Sequence, residues 1–245
     1  MNSAWFLPRG NLRGIAVLVL AFLLASPGPS MATREDALIP FENAMIPLQK
    51  YSSVRAKALA STYRPELSNL FEHIYYCLPW LAIRKQTLGF PKRVGAQGDD
   101  RYLSVMIDVD VNDPDGAFAA TPRAHRVSAM LSRYGVHIMR QMVTMTTALS
   151  DPNVAGVGVA LTWSMPAAPG ARPIGETVAL FVDTSSLIDF LGGRLPAAEF
   201  VNRAKFTFWE GENSAPAVKV DIWEDTFNTT YKLKNYELPK GYKCN

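Results

Sequence analysis

The residues best placed to do chemistry lie in one acidic run, Asp108-Val109-Asp110-Val111-Asn112-Asp113-Pro114-Asp115-Gly116. Hard cations such as calcium take several oxygen ligands, commonly from acidic residues two apart that are closed by a glycine turn. Counting back from Gly116 puts Asp115 and Asp113 at the fifth and third ligand positions, but Val111 at the first. Pro114 interrupts the run, and no glutamate closes the loop. The competing reading is a strand with an acidic solvent face, Asp108 and Asp110, followed by an ordinary Asn-Asp-Pro-Asp-Gly turn. If the run is catalytic, the chemistry is metal-assisted hydrolysis, with Asp108, Asp110 and Asp113 holding a cation that activates water.

A second constellation is basic. Arg126, Arg133, His137 and Arg140 follow steps of seven, four and three, so a helix carries them as one stripe, flanked by His125. Such a stripe can meet phosphates or an anionic membrane surface through Arg126, Arg133 and Arg140, although a solvated helix face is the commoner meaning. The histidines are His73, His125 and His137, and none has a partner at the spacing that zinc sites use. No G-x-S-x-G elbow occurs, and Gly156-Val157-Gly158 lies inside a strand pattern, where it marks close approach of a neighbour and not a phosphate loop. Asn228-Thr229-Thr230 matches a glycosylation acceptor, meaningful only in a eukaryotic secretory host.

The third feature is aromatic. Phe71, Tyr75, Tyr76 and Trp80 gather around Pro79, where a helical pattern must kink or break because proline removes a backbone donor. Tyrosine and tryptophan suit half-wet contacts, so Tyr75, Tyr76 and Trp80 form a candidate surface for a ligand or partner; capping the core is the simpler alternative.

These residues need elements to hold them. The first 32 residues read as a cleaved secretory signal: Arg9 and Arg13, the apolar run GIAVLVLAFLL at 14–24, then Ser30-Met31-Ala32. That run is far shorter than the ~20 residues that span a bilayer. Without paired arginines the general export route is expected, and no transmembrane helix is expected after cleavage. Removing the signal leaves basic and acidic totals within one of each other, so nothing demands a polyanionic partner, and export makes nucleic acid an improbable one. Cys77 and Cys244 are the two cysteines, and an oxidising compartment would let them pair. Neither has the local company of a metal site or a nucleophile, and the sequence leaves any cofactor unknown.

Between 33 and 101 the pattern is helical, with one helix opened by Pro47 and carrying Leu48, Tyr51, Val54 and Ala58 on one face. A second begins near Pro65-Glu66 and carries Leu67, Leu70, Phe71, Ile74, Leu78 and Leu81. From 102 to 245 the reading is an α+β sheet region, taken as one compact domain with the helices. Tyr102–Val111 alternates strictly, with Leu103, Val105, Ile107, Val109 and Val111 inward. Thr121–Ser150 reads as one long helix closed by Asp151-Pro152-Asn153. Strands follow at 154–163 and 176–183, then two short helices, then strands at 206–209 and 218–223. The segment Ser164–Gly175 is a long Pro/Gly/Ala loop.

That order contains β-α-β-β-α-β, so a ferredoxin-like antiparallel sheet with one strand extra is the expected fold, beneath a helical N-terminal layer. With no catalytic constellation complete, the expected function is an exported, non-catalytic binding or envelope-associated protein. Its expected partner is an envelope protein or a small apolar ligand, taken at Tyr75, Tyr76, Trp80 and the 164–175 loop.

Overall fold

The computed structural model describes residues 39–78, 80–93, 98–111, 113, 116–165 and 174–223. The expected signal at 1–32, the glycosylation acceptor at Asn228 and Cys244 all lie outside them.

The class is α+β: helices and a six-stranded mixed sheet. The strands are β1 (Leu81–Ile83), β2 (Arg101–Val109), β3 (Val154–Met165), β4 (Ile174–Asp183), β5 (Lys205–Glu210) and β6 (Asn213–Ser214), and their order in the sheet follows the chain. Every neighbouring pair is antiparallel except β2 with β3, which run parallel. Parallel neighbours need a crossover, and residues 110–153 supply it as α4 (Arg123–Met130), a π-helical turn Leu131–Gly135, and α5 (Val136–Met145). In a split β-α-β unit a third strand lies between the parallel pair. Here β2 and β3 bond each other directly, so the sheet is mixed and not the ferredoxin-like antiparallel one.

Alternation sorts the sheet into two faces. Leu103, Val105 and Ile107 on β2 align with Val157, Val159 and Leu161 on β3, and these with Val182, Leu180 and Val178 on β4. All nine are almost fully buried on the side where the helices pack. The opposite face carries Tyr102, Met106, Asp108, Ala160, Thr162 and Phe181, each half-buried. Gly158 is needed on that face, since a Cβ there would sit 2.5 Å from Ser104 Oγ and 2.6 Å from the Phe181 ring. Phe181 thus covers the glycine and meets Tyr102 edge-on at 5.4 Å.

Ahead of the sheet come α1 (Phe41–Ala44), α2 (Val54–Thr62) and α3 (Arg64–Cys77). Pro47 opens only a 3₁₀ turn, Leu48–Lys50, and the helix begins afresh at Val54, where Ser53 Oγ accepts the Ala56 amide at 3.1 Å. Val54 is therefore exposed, off the face expected of it. The second helix keeps the expected start, with Pro65 in its first turn, and its buried Leu67, Leu70, Phe71 and Ile74 pack against α5. Leu81, expected on that helix, instead begins β1.

The long helix stops sooner than Pro152 requires. Thr146 turns to extended geometry, and its hydroxyl donates back to the Met142 carbonyl at 2.8 Å. Inside it, the π turn packs on β3 at ordinary contact distance: a Cβ on Gly135 would lie 3.8 Å from Leu161, while its nearer neighbour, at 3.1 Å, would be Leu131 of the turn itself. Two further helices, α6 (Thr184–Leu191) and α7 (Ala197–Arg203), link β4 to β5. Asp183 caps α6 by accepting the Ser186 amide at 2.8 Å. Burial alone would raise that carboxyl, but hydrogen bonds from Ser185 and Ser186 outweigh it and hold it below the usual carboxylate range. Residues 218–223, expected as a strand, form none; the Asp221 amide bonds Ser128 of α4 and the Trp223 amide bonds Ser132 of the π turn instead.

Candidate functional site

The aromatic surface forms where α3 gives way to β1. α3 is capped at Leu78, and Leu81 already pairs with Val109. Between them Trp80 holds left-handed geometry, the region that favours glycine, at φ 62°, and its carbonyl accepts the Asp110 amide at 2.8 Å. A bulky side chain at positive φ costs on the order of 1–3 kcal/mol and persists only where the surroundings hold it. Tyr75 is buried, Tyr76 and Trp80 are half-buried, and the Tyr75 and Tyr76 rings meet edge-on at 4.9 Å. One helical turn back, His73 Nδ1 lies 3.6 Å from Cys77 Sγ. Burial lowers the pKa of His73, favouring its neutral form.

The acidic residues are dispersed. Asp108 stands on the open sheet face and is forked by Arg84, Nη2 to Oδ1 at 2.5 Å and Nε to Oδ2 at 3.2 Å. Asp110 lies just past the end of β2, exposed. Asp113 Oδ2 accepts the Ala119 amide at 3.0 Å, which ties the turn to the approach of α4. Among the described residues, no three of His, Cys, Asp and Glu converge as a cation site needs. Asn112 and Asp115 lie outside them.

The basic stripe is divided by the packing. Arg126 turns inward to Glu176, Nη2 to Oε1 at 2.5 Å and Nε to Oε2 at 2.8 Å, and also donates to the Ala119 and Thr121 carbonyls. The Arg133 guanidinium lies 5.7 Å from the centre of the Tyr134 ring. Arg140 is exposed, and His125 stacks on Trp223 at 5.2 Å.

Glu176 is the residue that motif reasoning passes over. It is 5% exposed on the helix face, and its Oε2 also takes the Trp163 indole N–H at 2.9 Å. Arg123 Nε stands 3.9 Å from its other oxygen, while Arg123 Nη1 reaches the Pro216 carbonyl at 3.2 Å. The signal was in the alternation: the phase that turns Val178, Leu180 and Val182 inward turns Glu176 inward too, and a buried carboxylate demands a cation. This cluster joins the start of α4, the β3–β4 ends and the segment after β6. It has the make-up of a structural clamp.

The β3–β4 hairpin extends beyond the expected strands, with Ser164 opposite Gly175 and Met165 opposite Ile174; residues 166–173 of the expected binding loop lie outside the described set. No helix among the described residues is long and apolar enough to cross a membrane. No family model, curated protein or solved structure matches the chain.

Proposed function

We propose that the chain is a non-catalytic binding module of an exported compartment, with its ligand surface at Tyr76 and Trp80. The observation that carries this reading is the backbone of Trp80, a bulky residue kept at φ 62° beside a half-buried tyrosine. Strain of this kind concentrates where a side chain must be presented in one orientation. Two half-wet aromatic rings suit a small apolar ligand or the apolar patch of an envelope protein. Export is supported by the leader-like composition of residues 1–32. A bond between Cys77 and Cys244, the chain's two cysteines, belongs to the same reading. The metal-assisted alternative has weaker support, because the Arg84 fork already neutralises Asp108.

The test is native mass spectrometry of protein purified from its exported compartment, compared with Trp80→Gly. Glycine adopts positive φ without strain, which offsets part of the lost indole burial, so the variant is expected to remain folded, as its thermal midpoint reports, while losing the retained ligand or partner mass. A bare parent protein, or a variant that retains the same mass, overturns the reading.

A further inference from the structure

We infer that the Tyr76–Trp80 surface takes an otherwise apolar ligand by its guanidinium group, held between the Trp80 indole and the Asp110 carboxylate. The inference rests on the reading of this surface as the ligand site and names the chemistry of what it binds.

Trp80 and Asp110 are far apart in the sequence, and the pairing of β1 with β2 brings them together. The ladder sets Ala82 opposite Asp108 and Leu81 opposite Val109. It continues past both ends of β1: the Arg84 amide donates to the Met106 carbonyl at 2.9 Å, and the Asp110 amide to the Trp80 carbonyl at 2.8 Å. Trp80 therefore stands opposite Asp110, in the hydrogen-bonded kind of pair whose Cα atoms are about 5.5 Å apart. Val109 and Val111 are buried while Asp110 between them is exposed, so its carboxylate lies on the side away from the core. The aromatic surface and the acidic run, two separate features of the sequence, meet at this point.

The same ladder shows which cation fits such a carboxylate. Arg84 reaches diagonally to Asp108 and forks it, Nη2 to Oδ1 at 2.5 Å and Nε to Oδ2 at 3.2 Å. Asp110 repeats that carboxylate two residues further on. Its diagonal neighbour on β1 is Ala82, which brings no charge, and the residue opposite it is an indole. A guanidinium is planar and weakly hydrated, so it can lie against an indole face while two of its N–H groups fork a carboxylate. An ammonium is compact and strongly hydrated, and lacks the planar fork. A carboxylate offers about four acceptor sites, so it takes this group alongside other donors. The aliphatic stem that carries a guanidinium suits the half-buried Tyr76 ring. A free alkylguanidine and an arginine of a partner protein present the same group; the retained mass in native mass spectrometry, small molecule or chain, tells the two sources apart.

Titration with butylguanidinium and with butylurea, its uncharged isostere, tests this. The readout is nitrogen–proton NMR of the Trp80 indole N–H and the Asp110 amide. Both contacts are made at a partly wet surface and are individually weak, so saturation is expected in the millimolar range. Butylguanidinium is expected to move both resonances and to bind at least about five-fold more tightly than butylurea. Asp110→Asn keeps the shape and removes the charge; it should weaken butylguanidinium by about two- to five-fold and leave butylurea unchanged. Equal affinity for the two probes overturns the inference. So does unchanged butylguanidinium binding in Asp110→Asn, and so does the absence of any saturable shift. The retained-mass comparison with Trp80→Gly reports on this surface whatever the charge of its ligand, so the two readings fail separately.

Discussion

Two guanidinium–carboxylate forks occupy opposite faces of one sheet and differ chiefly in their surroundings. Arg126 and Glu176 meet on the helix face with side chains 11% and 6% exposed, whereas Arg84 and Asp108 meet on the open face at 43% and 46%. Each fork has an Nη2–O distance of 2.5 Å. Around the open pair, water and salt screen each charge whether or not its partner is present, so the contact adds little. Around the buried pair hydration is gone, and either charge alone would be stranded. Fork geometry therefore says nothing about energetic weight. The local dielectric decides it.

The largest expected effect tests the buried side. Glu176→Ala leaves Arg126 and Arg123 enclosed without their counter-charge, and the loss expected from urea unfolding is about 3–5 kcal/mol. Arg126→Met with Glu176→Met should recover part of that loss but not all, because the Ala119 and Thr121 carbonyls lose their donor. A Glu176→Ala cost no greater than that of an exposed pair would break the comparison.

A smaller effect, in pH, sharpens the link between burial and charge. Burial holds His73 below its ordinary value of 6.5. As pH falls past 6.5 the unfolded chain takes up a proton that the folded chain refuses. Stability is thus fully present above that value and declines as pH drops toward the folded value, where the loss levels off. Urea midpoints on either side of 6.5 should show this limb in the parent and a flatter one in His73→Gln. An identical slope in both would assign the acid sensitivity elsewhere.

The smallest effect belongs to the open face. Asp108→Asn is expected to change unfolding free energy by no more than about 0.5 kcal/mol, and less at high salt. A cost of several kcal/mol, insensitive to salt, would show that this face is covered in the working protein.

How much was legible depended on whether a pattern was local. The alternation of 102–109 and 154–163 marked β2 and β3 and their inward faces, because a pleated strand exposes its two sides in strict turn. The same rule already placed Glu176 inward. Its partner was hidden, since Arg126 lies fifty residues away on a helix whose rotation about its axis only packing sets. Arg126 was read into a solvated stripe for that reason. Trp80 was legible as an aromatic near a break, while its left-handed backbone was not, because the apolar spacing predicts a helix as far as Leu81. The strand expected at 218–223 failed differently: its alternation is real, but the partner supplying its hydrogen bonds is a helix carrying Ser128 and Ser132, not a strand edge.

By itself, then, the sequence determined the class of the fold, β2 and β3 with their buried faces, the helical connection between them and the start of α3, all of which follow from periodicity and local backbone chemistry. Only the tertiary structure decided that β2 and β3 pair in parallel, that Arg126 serves Glu176, that Asp108 is held by Arg84, and that Asp221 and Trp223 bond the serines of α4 and the π turn. Each of these is a choice of partner between segments far apart in the chain. Such choices are settled by which buried charges and backbone groups can be satisfied together, and no local pattern encodes that.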